Sequence, residues 1–121
     1  GAQAEQFSFY RIPKALFTEP NFRELSTDAK VLYGILLDRM SLSLKNQWLD
    51  AQNKVYIIFT VEEIMDALNC ANQKATRLMV ELEKRAGLIE RKRQGLGRPN
   101  LIYVKNFAAT INDKSCEKGD S

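Results

Sequence analysis

The sequence predicts an α+β fold of the winged helix-turn-helix type: three main helices, a small antiparallel sheet and an N-terminal arm. Three observations predict it. Residues 60–86 read as a short helix, a turn and a longer helix. Two strand-like runs, residues 88–93 and 101–105, follow at once around a tip containing two glycines and a proline. The positive charge is gathered on this same stretch. Residues 72–106 hold nine Lys/Arg against three acids, a local net of +6 in a chain that is +3 overall, so the remainder carries −3.

The bulk numbers fit one domain. A chain of 121 residues, 45% hydrophobic and 27% charged, can bury a single modest core. No apolar run approaches the ~20 residues that span a bilayer, so no membrane partner is expected. The expected organisation is a tag-derived or disordered stretch over 1–6, the winged-helix domain over 7–107, and a polar tail or linker start over 108–121.

The elements follow in order. Phe7 and Phe9 alternate with Ser8 and Tyr10, which suits a short strand ended by Pro13. Its aromatics serve either a homodimer contact or the chain's own core; the sequence leaves both open. Residues 18–23 are a loop with Pro20 and Asn21 as breakers. A helix then starts with Ser26 or Thr27 as cap and Asp28 in its first turn, and runs to about Leu44. Its stripe of Ala29, Leu32, Tyr33, Leu36 and Met40 is widened by Val31, Ile35 and Leu37, the mark of a central scaffold helix. Residues 45–54 form a polar connection in which Trp48 is expected as a lid on the core. Residues 55–59, VYIIF, read as a third strand that closes the sheet. Thr60 and Glu63 make a T-x-x-E capping box for the second helix, whose buried side is Ile64, Met65 and Leu68. Residues 69–71 are the turn.

The third helix is expected over 72–86, stopped by Gly87. At the helical period Ala75, Leu78, Met79, Leu82 and Ala86 share one face, and Gln73, Arg77, Val80 and Lys84, flanked by Thr76, share the other. Residues of these types suit duplex DNA. Gln can bond adenine and Arg guanine, each through two hydrogen bonds, and Val or Thr can meet a thymine methyl. Lys74 and Lys84 fit phosphates, which position without specifying. On the first wing strand Arg91 and Arg93 fall on one face and Lys92 on the other. Arg98, beside the tip, suits a minor groove. The G-x-G of the tip is followed by a strand rather than a helix, which argues against a nucleotide-phosphate loop.

Enzymatic and cofactor functions find little footing. There is no histidine, the commonest general base and metal ligand, and no paired nucleophile and base. Cys70 and Cys116 have no metal spacing and read as free thiols of a cytoplasmic protein. No cofactor is expected. Two other uses of the same fold stay open: transcriptional repression, and protein docking, which the basic wing disfavours.

Four blocks, FYRIPKALF, LSTDAKVLYGILLDRMSLSLKN, VYIIFTVEEIMDALNC and GLIERKRQGLGRPNLIYVKNF, add a more specific indication. Together they resemble the N-terminal domain of plasmid replication initiator protein A (the RepA_N family) of low-GC Gram-positive bacteria, of the staphylococcal multiresistance plasmid type. The resemblance spans about residues 7–107. It implies binding to repeated sites (iterons) of a plasmid replication origin, with dimerisation or higher self-association that limits copy number. It also implies recruitment of host replication proteins through a separate C-terminal domain absent from this chain. By position, Asn72, Gln73, Lys74, Thr76 and Arg77 match the entrance of the recognition helix, and Arg91, Lys92, Arg93 and Arg98 match the wing.

Overall fold

Proline and the hydrogen bonds that proline cannot make shape the entrance to the fold. In the computed structural model, which describes residues 8–108, the chain after Pro13 turns into a single helical turn, α1 (Ala15–Thr18). Leu16 N–H donates to Pro13 O at 3.1 Å, and Leu16 itself is fully buried. Pro20 then opens a 3-10 turn, Pro20–Phe22, that drives Phe22 into the core. Burying one such ring stabilises the fold by about 2–3 kcal/mol.

The scaffold helix α2 (Thr27–Lys45) is capped by Ser26, whose Oγ accepts from Ala29 N at 3.2 Å. Asp28 in its first turn and Lys45 in its last complement the helix dipole. Ala29, Leu32, Tyr33 and Leu36 are fully buried, as their spacing predicts. Lys30 lies over the Phe17 ring at 4.5 Å, which pins α1 to α2.

The second helix, α3 (Val61–Leu68), carries the full capping box: Thr60 Oγ1 accepts from Glu63 N at 3.2 Å, and Glu63 Oε1 accepts from Thr60 N at 3.0 Å. Asn69, with φ 53°, ends it in the left-handed conformation that asparagine tolerates. The third helix, α4 (Asn72–Val80), continues through a π-helical turn at Glu81–Arg85. Gly87, at φ 63°, turns the chain out of it, and Leu88 N–H donates to Leu82 O at 2.8 Å across the exit. Two strands complete the fold. β1 (Ile89–Lys92) and β2 (Leu101–Val104) pair antiparallel with Ile89 opposite Val104 and Lys92 opposite Leu101. Helices α2, α3 and α4 pack on one another, and Ile57, Ile64, Leu78, Leu82, Ile89 and Ile102 join one buried core.

Three expectations are corrected. No strand forms over residues 8–11; Phe7 and residues 1–6 lie outside the described residues. The arm crosses α2 at Gly34 instead, where an added Cβ would stand 2.9 Å from Ile12 Cγ1 and 3.1 Å from Arg11 O. Residues 55–59 contribute isolated bridges rather than a strand. Ile57 exchanges two 2.9 Å backbone hydrogen bonds with Ile102, Val55 pairs with Leu49, and the chain must then bend into the Thr60 cap. Trp48 is no lid: its side chain is 47% exposed, because its backbone is held in a turn by Ser43 O and Tyr56 N. Of the proposed 108–121 tail, only Ala108 falls within the described residues.

Candidate nucleic-acid interface

The polar face of α4 is built by what the opposite face buries. Ala75, Leu78 and Leu82 are fully buried and Met79 nearly so, which fixes the rotation of the helix. Asn72, Gln73, Thr76, Arg77, Val80 and Lys84 are left in solvent. The N-terminus of α4 has no side-chain cap, so its first backbone N–H groups are not satisfied by a capping side chain.

Acidic groups are withdrawn from this face. Glu81 is only 8% exposed, and its carboxylate accepts from Ser26 N and from Ser26 Oγ, both at 2.9 Å. The same hydroxyl caps α2, so one serine joins the start of the scaffold helix to the middle of the third helix. Glu83 accepts from Arg91 Nη2 at 2.7 Å across the junction with the wing. This hydrogen bond, together with the Arg91 and Lys84 charges, holds the Glu83 carboxyl below its ordinary range. No acid remains on the outward side of α4.

The candidate residues therefore divide. Asn72, Gln73, Thr76, Arg77, Lys84, Lys92, Arg93 and Arg98 stand exposed. Among the described residues, Arg77, Lys84, Lys92, Arg93 and Arg98 form no ion pair. Lys74 pairs with Asp28 in the first turn of α2, and Arg91 pairs with Glu83, so both are engaged within the protein. The expected sharing of a strand face by Arg91 and Arg93 rests on a first strand longer than the one that forms. β1 ends at Lys92, and Arg93, beyond the ladder, is free of its alternation.

The wing is held against the helix-turn-helix. Besides the Arg91–Glu83 bond, Arg98, Pro99 and Asn100 line one wall of a cleft whose other wall includes Thr60, Val61, Glu62 and Met79. At the sheet's far end Tyr103 Oη donates to Asp50 Oδ2 at 2.9 Å; Lys54 N–H, that phenol and other donors lower the Asp50 carboxyl, and the carboxylate raises the phenol. Sequence reasoning missed Glu81, Asp28 and Glu83 as positioning groups. Their partners come from other elements, so no local spacing marks them. Among the described residues no group of three or more His, Cys, Asp or Glu could hold a metal ion, and no helix is long and apolar enough to cross a membrane.

A three-helix core with a basic hairpin braced beside an acid-free helix face defines a winged helix-turn-helix domain. Residues 8–118 match the family model described as replication initiator protein A (RepA) N-terminus, and the chain belongs to that family. A relative from Lactobacillus helveticus, described as a 41 kDa protein, is 32% identical over 103 residues, which make up 85% of this chain and 28% of that protein. Three solved structures are similar. One described as the N-terminal domain of a DNA binding protein has 36% identity and a TM-score of 0.75, covering 99% of this chain and 93% of that one. One described as a Rep-DNA complex has 35% identity and a TM-score of 0.73, with 99% and 94% covered. One described as an MDR initiator has 38% identity and a TM-score of 0.70, with 94% of each chain covered.

Proposed function

We propose that this domain binds duplex DNA sequence-specifically at repeated sites of a plasmid replication origin, as the DNA-reading part of a replication initiator. The observation that carries the reading is the segregation of charge. Glu81 and Glu83 turn inward, while Gln73, Arg77 and Lys84 stand on one outward face beside Lys92, Arg93 and Arg98. A face of this composition is repelled by few groups of its own when it meets phosphates. The membership of the family and the likeness to a solved Rep–DNA complex support the same reading.

In the proposed mode α4 lies in a major groove with Asn72, Gln73, Thr76 and Arg77 at base edges. Lys74 and Lys84 meet phosphates, and the wing, braced by Arg91 on Glu83, carries Lys92, Arg93 and Arg98 along the backbone into the adjacent minor groove. The chain acts in the cytoplasm as a homodimer or larger assembly, and other parts of a longer initiator engage host replication proteins. It carries no catalytic step of its own and no cofactor.

The test is binding to origin repeats and to scrambled duplexes across a salt series. Arg77→Ala should weaken the repeat by about 1–3 kcal/mol and the scrambled duplex little. Lys92→Ala should weaken both alike. Equal affinity of the unaltered chain for repeat and scrambled duplexes would refute specific reading.

A further inference from the structure

The tip of the wing presents an apolar side chain that the proposed contacts do not use. Leu96 has a relative exposure of 102%, more than any other large hydrophobic residue described. The loop around it is built rather than slack. Gln94 Nε2 donates to Pro99 O at 2.8 Å and closes the neck. Arg98 N–H donates to Gly95 O at 3.3 Å, which makes Gly95 to Arg98 a four-residue turn with Leu96 and Gly97 at its corners. Gly97 has φ 74°, the value the second corner of a type II turn requires.

Space is not the reason for the glycines. A Cβ on Gly95 or on Gly97 would meet nothing within 4 Å. They serve backbone direction: Gly95, at φ 123°, and Gly97 both adopt conformations that other residues rarely take. The result is a closed turn that holds a leucine in water with no protein against it. Arg93 and Arg98, both exposed, flank it in sequence. Arginines are drawn to the negative potential of a narrow minor groove, and leucine is among the side chains that insert between base steps there.

We propose that Leu96 is an apolar wedge: it enters the minor groove beside the major-groove site of α4 and partly unstacks one base step. The ease of deforming that step then becomes part of what the protein recognises, which makes Leu96 a specificity-determining residue. The inference rests on the DNA-binding reading above. A leucine between cations is poorly matched to an apolar protein surface, which would have to desolvate the arginines.

Duplexes enriched from a randomised pool by the chain itself supply the test, with 2-aminopurine placed in turn at each position flanking the bases that α4 protects. The unaltered chain should raise the fluorescence at one step, the sign of unstacking. Leu96→Ala should remove that rise and weaken the enriched duplex about 10-fold, with the salt dependence unchanged. Leu96→Phe should retain both rise and affinity. Leu96→Lys should steepen the salt dependence without restoring the rise. The side chain is wholly exposed, so none of these variants threatens folding. Enrichment with no rise at any step, or Leu96→Ala binding as tightly as the unaltered chain, would overturn the wedge and leave the DNA reading standing. A pool in which no sequence is enriched would overturn the DNA reading, and the wedge with it.

Discussion

Glu81 is an acid at a buried position with no ion-pair partner among the described residues, and its hydrogen bonds explain how it is tolerated. Both carboxylate oxygens accept from Ser26, one from the backbone N–H and one from the hydroxyl. Replacing Glu81 with Ala strands the Ser26 N–H in a half-buried place. The expected cost is about 1–3 kcal/mol, read as a lower urea midpoint. Glu81→Gln keeps one acceptor and should lose less; equal losses would show that the carboxylate's volume, not its acceptors, matters. Tyr33 makes a second residue-scale prediction. Its phenol is buried and donates to Lys105 O, and burial pushes its pKa from 10.0 up to about 12. The folded state thus holds this proton more tightly than the unfolded chain. The corresponding stability is complete below pH 10 and falls away as pH rises from about 10 towards 12. Tyr33→Phe should be less stable near neutrality through the lost hydrogen bond, yet should lose less over that alkaline interval, as denaturation series on both proteins would show. Glu83 has the opposite sign: its lowered carboxyl stabilises the fold above the ordinary glutamate range and ceases to do so as pH falls through its folded value.

At the scale of elements, the fold depends on how closely pieces approach α2. Gly34 sits mid-helix, where alanine would ordinarily gain up to about 1 kcal/mol. Here the added Cβ meets Ile12 Cγ1 at 2.9 Å and the Arg11 carbonyl at 3.1 Å, and a backbone oxygen gives way less readily than a side chain. Overpacking of this kind costs about 1–3 kcal/mol, so Gly34→Ala should lower stability and loosen the arm. Limited trypsin digestion at Arg11 should speed up; unchanged cleavage and a raised melting temperature would show that the arm yields freely. The same elements show what a sequence discloses. The capping box at Thr60 and Glu63 is legible because its partners are three residues apart, and the rotation of α4 is legible because a buried stripe has a period. Residues 55–59 have strand composition, but a ladder needs a continuous partner, and here Val55 meets Leu49 while Ile57 meets Ile102, so each makes only a single bridge. Trp48 has the composition of a core residue, but its placement follows from the turn around it. The exposed candidates on α4 were readable for the same reason as its stripe. The ties that position them were not, since Ser26 and Glu81 are 55 residues apart.

The whole molecule separates its charges, and the separation can be measured. From the start of α4 to the wing tip six cations are exposed: Arg77, Lys84, Arg85, Lys92, Arg93 and Arg98. If all six meet phosphates, log K should fall against log salt with a slope of about −5. Lys92→Ala should make that slope shallower by about one. Lys74 behaves differently, because its ammonium is already paired with Asp28 in α2. Both side chains of that pair are more than two-fifths exposed, so the pair is weak and a phosphate can compete for the lysine. DNA that takes Lys74 from Asp28 gains a phosphate contact but leaves an acid near the duplex. Asp28→Asn removes that acid and releases the lysine, at some loss of favourable charge in the first turn of α2. The variant should therefore bind every duplex more tightly, scrambled and repeated alike, while its melting temperature falls slightly. Lys74→Ala should weaken binding less than Lys92→Ala for the same reason. If Asp28→Asn leaves the affinity for scrambled DNA untouched, the start of α2 does not face the phosphate backbone, and α4 enters the groove by another edge.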